Sequence, residues 1–516
     1  MMRPNGAART AYAGTLLSLA RMAKGTAVSL NPRRTQGGGV LKKKILFGWL
    51  VVLVSNLWLS AEVQAIPPFA RKYGTSCQTC HVMIPKLNSF GEAFRLNGYR
   101  IADADAALVK EEPAVLGAPA WKDMFPDAMW PSSIPGLPPV GFRIISHLQS
   151  SAEGGPRSAT SRSRSNFEFP HELELLLGGR FDDHFGFFTE AEWKQGGGAD
   201  IVQAYLVVND FMSWANVPHH MLSGRIGIMD QQFLFGYSNP TRPSRSHPLW
   251  GNRKLSDWQL LQGTALTKSA TGFRLQDNQP AIELNGIIAR RLYWGAGVAN
   301  GTGPTRFDVD THKDFYYKLK YKPLGRDFLG KFVANEEVSM ATKSSGGWVD
   351  NGLLLEHFGY FGAWTPDAAG AIKDRFWYLG GAARWTWEDL DLAGGYIHGH
   401  HDRPWGAITT QDTDVRTWFV KADYMLFPWL MAHAVYEDMN ADEPSGTLGP
   451  VGPANFAAVG FNGSLDARRL LVGPIFAPRA NITIALEAEI FLEHKGADLV
   501  SKDDPNNFWI RVDFAF

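Results

Sequence analysis

The chain has 516 residues, with 51 basic and 51 acidic side chains, 14 histidines and two cysteines. Nine of the basic residues and one acidic residue fall within residues 1–65, so the remainder carries 42 basic against 50 acidic groups, a net charge of minus eight. That balance disfavours nucleic acid as a partner and attracts cations only weakly, and no hydrolase, phosphate-binding or dinucleotide motif stands out.

Residues 1–41 are basic and rich in Ser, Gly and Arg, with no apolar periodicity that would bury a core. Lys42, Lys43 and Lys44 then precede an apolar run from Ile45 to Leu59, followed by Ala61-Glu62-Val63-Gln64-Ala65. A charged start, an apolar middle and a small-residue end predict a secretory signal cleaved after Ala65. The alternative is a membrane anchor, but the run falls short of the roughly 20 residues needed to span a bilayer. An arm of 41 residues ahead of a signal is unusual, which leaves a start near Val40 open.

Both cysteines lie in Cys77-Gln78-Thr79-Cys80-His81. Two thiols three residues apart can add to the two vinyl groups of one porphyrin and hold the next imidazole against its iron, so the spacing predicts one covalent haem c with His81 as proximal ligand. A thioredoxin-like pair would sit near a β-α-β pattern, which is missing here, and a structural zinc site needs ligands that no further cysteine supplies. Leu87, Phe90, Gly91 and Phe94 recur at helical spacing, with Asn97-Gly98 as the stop. Such a helix would lay its apolar face on the porphyrin, Gly91 permitting close approach. Pro85 lies four residues beyond His81, where a backbone carbonyl would hold the imidazole Nδ1-H.

The run from Ile66 to Arg100, with Pro68, Phe69 and Ala70 before the motif and Pro85, Leu87, Phe90, Gly91, Phe94, Gly98 and Tyr99 after it, resembles the cytochrome segment of the fused monohaem cytochrome c–porin family, of the outer-membrane iron oxidase type. The resemblance implies a small helical cytochrome (66–112) joined to an outer-membrane barrel. It also implies passage of electrons from an external donor, Fe(II), to a periplasmic cytochrome or similar carrier, as an Fe(II):cytochrome c oxidoreductase would do. Outward electron transfer, or a solute porin with a haem plug, are the alternatives. For the distal ligand, Met129 ranks above Met124, both in a stretch similar to the methionine loop of small c-type cytochromes; a five-coordinate iron, or a barrel residue such as His147, is the other reading. Prolines between Pro113 and Pro139 mark residues 113–140 as a stiff connector.

From Gly141 onward, segments of about ten residues with two-residue alternation are separated by turns, the signature of a transmembrane β-barrel set in outer-membrane lipid. Sixteen strands are predicted, at 141–152, 167–180, 184–194, 199–209, 221–229, 272–288, 291–299, 314–322, 350–363, 375–386, 390–400, 416–426, 429–438, 467–477, 481–493 and 507–516. The even-numbered connections are mostly short and predicted periplasmic, the odd-numbered ones mostly long and external. The chain closes on Phe516, resembling the insertion signal of outer-membrane barrels. The connection 230–271, with Arg242, Arg245, Trp250, Arg253 and Trp258, resembles the inward-folded constriction loop of porins, or else is an exposed loop. Finally, Tyr396-Ile-His398-Gly-His400-His401-Asp402 offers imidazoles and a carboxylate to a divalent transition metal at the outer mouth. Parity opposes a lumenal role: His398 and His400 share a face with Leu390, Leu392 and Tyr396, and a solvated rim patch is the competing reading.

Overall fold

Strict alternation of polar and apolar side chains lets a strand bury one kind on each face, and a sheet closed on itself has no edge left to pair. The computed structural model realises this as a closed barrel of sixteen antiparallel strands. It describes residues 68–103, 105–112, 123–127, 139–151, 165–181, 184–236, 248, 258–261, 265–268, 274–275, 277–301, 312–330, 351–364, 373–403, 412–442, 467–494 and 506–516. The expected signal run, Met129, the connector residues Pro113, Pro119, Pro131, Pro135 and Pro138, and Arg242, Arg245, Trp250 and Arg253 lie outside these.

The strands are β1 (Val140–Ser151), β2 (Ser165–Arg180), β3 (Phe185–Lys194), β4 (Ala199–Val208), β5 (Ser223–Met229), β6 (Gln279–Ile288), β7 (Leu292–Ala299) and β8 (Asp314–Leu324). The other half comprises β9 (Gly352–Trp364), β10 (Asp374–Trp387), β11 (Leu390–His401), β12 (Thr413–Phe427), β13 (Leu430–Ala441), β14 (Ala467–Arg479), β15 (Ile482–His494) and β16 (Asn507–Ala515). Each coincides with one expected strand; β6 begins at Gln279 rather than at 272. Closure runs from Asn507↔Ser151 to Ala515↔Arg143, and Phe516 exchanges backbone hydrogen bonds with Phe142 (2.6 and 2.8 Å) while their rings stack.

The two faces of the wall are chemically opposite. Outward, aliphatic residues such as Leu206, Ile282, Leu284, Val298, Leu319, Leu379 and Val420 are exposed. They are flanked at the short-connection end by Phe142, Phe185, Tyr321, Trp385, Trp387, Tyr424 and Phe427, and at the long-connection end by Phe167, Trp193, Phe315, Phe361, Tyr396, Trp418 and Phe508. An apolar band between two aromatic girdles is the pattern of a membrane-spanning barrel. Inward, Arg143, Glu174, Glu190, Arg225, Glu283, Lys318, Asp391, Asp423, Arg469 and Asp513 are buried.

Inside the short-connection mouth sits the segment before the barrel. It comprises α1 (Pro68–Tyr73), a 3-10 turn at Cys77–Thr79, a small hairpin pairing His81–Met83 with Lys86–Leu87, α2 (Ser89–Leu96) and α3 (Asp105–Leu108). Asn88 caps α2 by accepting from Gly91 N (2.9 Å), and Asn97 follows as its C-cap, donating to Ala93 O and to Phe328 O of the barrel. The other ties to the wall all reach its short-connection end. Thr483 Oγ1 donates to Ile84 O (2.8 Å), Tyr99 and Tyr205 share a hydroxyl bond (2.5 Å), Arg100 pairs with Asp210 (2.7 Å), Arg180 with Asp105 (2.5 Å), and Arg384 with Glu92.

Lys86 is 4% exposed, with its ammonium 2.5 Å from both Asp391 and Asp423. Removing one member of a buried ion cluster leaves uncompensated charge and costs about 3–5 kcal/mol. Lys86→Met should therefore loosen the segment, and limited proteolysis of the purified protein should cut within 68–112 much faster than in the wild type; wild-type resistance would show that this contact does not hold it.

Candidate functional site

Cys77, Cys80 and His81 line one cavity of about 510 Å³, inside the roughly 300–1,000 Å³ range of cofactor pockets. The motif's side is closed by Phe69, Tyr73, Leu87, Phe90, Phe94 and Tyr99, and the barrel side by Leu176, Gly178, Phe188 and Tyr205, with Arg143, Glu174, Gln203, Asp230 and Gln232 as polar groups. Phe69 stacks on Tyr99 and Tyr99 on Phe188, ring centroids 5.2 Å apart in each pair, so the aromatic wall passes from the segment to the barrel without a break. Two glycines make that closeness possible. A Cβ on Gly91 would lie 2.9 Å from the Cys80 carbonyl carbon and nearer still to its oxygen, and one on Gly178 would lie 2.6 Å from the Phe69 ring.

His81 Nδ1 lies 3.1 Å from the Pro85 carbonyl oxygen. A carbonyl only accepts, so Nδ1 carries the proton and Nε2 keeps its lone pair. Burial pushes the imidazole down to about 4, against the upward pull of that hydrogen bond, so at neutral pH the ring is an uncharged ligand. Burial, with Cys77 adding to it, pushes the Cys80 thiol up to about 12, and burial also raises Cys77. Both thiols are free and protonated, a state ill suited to holding a metal as thiolates.

The remaining sequence candidates fall elsewhere. Met124 is 72% exposed and does not line the cavity; Met129 lies outside the described residues. His147 is on the lumenal wall but not on the cavity lining. The imidazoles of β11 divide between its two faces. His401 is 1% exposed and bonded inward to Asp374 (2.6 Å) and Tyr378 (2.7 Å), whereas His400 meets Asp414 (2.7 Å) beside Trp377, with His398 3.6 Å from the same carboxylate. The three are therefore not one centre: successive strand residues point to opposite faces. His398 and His400 stand with Tyr396 on the outer surface, as their parity predicted.

The start of the 230–271 connection turns inward, the direction that its resemblance to a constriction loop implied: Gln231, Phe233 and Leu234 are buried, Phe233 stacks on Phe358 (4.5 Å), and Lys318 donates to Gln231 O (2.7 Å). One feature escaped sequence reasoning. His220, in a connection with no assigned role, meets Asp103 at 2.9 Å and so helps to hold the segment. The sequence carries no local signal for that contact, since its partner is distant in the chain.

No protein-family model and no curated protein matches the chain. Among solved structures it is similar to the outer-membrane channel DcaP of Acinetobacter baumannii (10% identity, 73% of this chain and 96% of that one, TM-score 0.44). It is likewise similar to OmpT of Vibrio cholerae (12% identity, 73% and 98%, TM-score 0.42) and to OmpF of Salmonella typhi in complex with daunomycin (10% identity, 73% and 97%, TM-score 0.45).

Proposed function

We propose that this protein is an outer-membrane electron conduit in which one haem c, carried by the segment in the short-connection mouth, links an external donor to a periplasmic carrier. The observation that carries the reading is that Cys77, Cys80 and His81 line the same mainly apolar cavity, with the His81 Nε2 lone pair available. The residues fit that group: two free thiols would tether it, a neutral imidazole would ligate it, and glycines at 91 and 178 let α2 close on the Cys80 backbone and β2 on the Phe69 ring around it. Arg95, Lys110 and Arg143, all on the lining, would meet its carboxylates. A haem c held there supplies reversible one-electron exchange.

The chain's own residues then provide the insulation and the route. Phe69, Phe90, Phe94, Tyr99 and Phe188 exclude water, while the Lys86, Arg100 and Arg180 ion pairs keep the segment in the mouth. With short connections periplasmic, this mouth meets a soluble carrier and the long-connection mouth meets the donor. Fe(II), oxidised there to Fe(III), gives up the one electron that the carrier receives.

The barrel taken by itself also suits a solute porin with a haem plug. That reading predicts ion conductance in planar bilayers that persists with the segment docked, whereas the conduit reading predicts little. Anaerobic Fe(II) added to the purified, haem-loaded protein should reduce it at a rate that rises with Fe(II) concentration, read from the haem spectrum. A protein that stays oxidised under excess Fe(II) at every pH tried, yet passes electrons quickly from its reduced form to an external acceptor, works in the outward direction.

A further inference from the structure

Above the cavity, toward the long-connection mouth, β1 and β2 pair irregularly. Ile145 sits opposite Glu172, but His147 sits opposite Glu168, so two steps along β1 match four along β2. The extra residues matter because an unbroken strand would send Glu168 and His171 to opposite faces. Instead Phe169 and Pro170 are exposed, and ligand atoms of His147, Glu168 and His171 all come within 4.8 Å of one another.

The group is held by its surroundings. Asn166 Nδ2 donates to Glu168 Oε1 (2.7 Å), and the His147 ring packs on His171 (4.2 Å) and edge-on to Trp509 (6.1 Å). Trp509 in turn donates to Glu489 (3.3 Å), and Glu172 lies 4.0 Å from His171 Nε2. The nearest strand partner of His147 on the other side, Arg511, is engaged by Asp513 (2.8 Å).

We propose that His147, Glu168 and His171 form a lumenal binding site for one divalent first-row transition cation. Two imidazoles and one carboxylate with positions left open suit Fe(II), Zn(II) or Co(II), whereas Ca(II) and Mg(II) require oxygen ligands throughout. His147 and the cavity residue Arg143 lie four residues apart on the same strand, about 13 Å at 3.3 Å per residue. Between them along the ladder the buried Glu172 pairs opposite Ile145, and the buried Glu174 and Glu192 are in register with Arg143. A cation entering from the long-connection mouth thus meets this site before the cavity. As the waiting place of the Fe(II) donor the site rests on the conduit reading; as a cation site it does not.

The test uses Zn(II), which cannot reduce a haem, so that binding is read apart from electron transfer. Isothermal titration of the detergent-solubilised, haem-loaded protein would be done in a His398→Ala, His400→Ala background, which removes the surface imidazoles. One Zn(II) per chain is expected, with affinity falling roughly tenfold or more in a further His147→Ala, His171→Ala variant. Glu168→Gln, which keeps the side chain's shape, should fall likewise while retaining heat-modifiable barrel mobility on gels. Absence of a stoichiometric site in the parent, or unchanged affinity in either variant, overturns the proposal. Failure of Fe(II) to reduce the protein while Zn(II) binds as expected would instead count against the conduit alone and leave the cation site standing.

Discussion

A chain carrying Cys77→Ser and Cys80→Ser should lose all covalent haem while its barrel still assembles. Haem staining after denaturing electrophoresis, set against barrel mobility before and after heating, reads both at once. The complete loss is expected because the two sulfurs are the only cysteine sulfurs in the sequence and line the same cavity as the single candidate proximal imidazole. The barrel should survive because its sixteen-strand closure involves no residue before Val140. Equal staining in the double variant would remove the cofactor from the proposal. Single variants, each keeping one sulfur, should retain partial staining.

The second large effect is expected at Gly91. Its position in α2 is packed against the backbone of Cys80, so the atoms it would strike cannot swing aside as a flexible side chain does. Gly91→Val adds three carbons at that contact, and overpacking a tight site costs about 1–3 kcal/mol or more. At about 3 kcal/mol the shift between the docked and displaced helix is on the order of 100-fold. The Cys77–His81 turn would separate from α2, and haem incorporation per barrel should fall to a small fraction of wild type. Ala93→Gly, on the same helix, opens space rather than filling it and should be much milder. Wild-type incorporation in Gly91→Val would show that the turn and the helix are not packed as described.

The barrel was legible in the sequence because its information is local. Glu172, Glu174 and Leu173, Leu175 alternate within six residues, and the same two-residue period, cut by turns such as Glu388-Asp389, marks out every strand before any pairing is known. The helix cap at Asn88, by contrast, was missed, although Asn97 was read as a stop; the capping bond to Gly91 N depends on how the preceding hairpin enters the helix. The histidines of β11 illustrate both sides. Parity placed His398 and His400 outward correctly, while the inward bonding of His401 to Asp374 and Tyr378 needed the neighbouring strand.

What the sequence by itself determined is therefore whatever repeats or recurs over a few residues: sixteen strands, two chemically distinct faces and one Cys-X-X-Cys-His spacing. What only the tertiary structure decided is everything that joins distant parts. Lys86 reads as an ordinary surface lysine until it is seen between Asp391 and Asp423, more than 300 residues away. His147, Glu168 and His171 cannot be grouped from spacing, because His171 lies within an irregular stretch of β2 that brings it beside Glu168, and such an irregularity is set by pairing with β1. The physical reason is common to both cases. Side-chain direction along one strand follows from backbone geometry alone, whereas the meeting of charges across a lumen depends on strand register and closure, which no local stretch of chain contains.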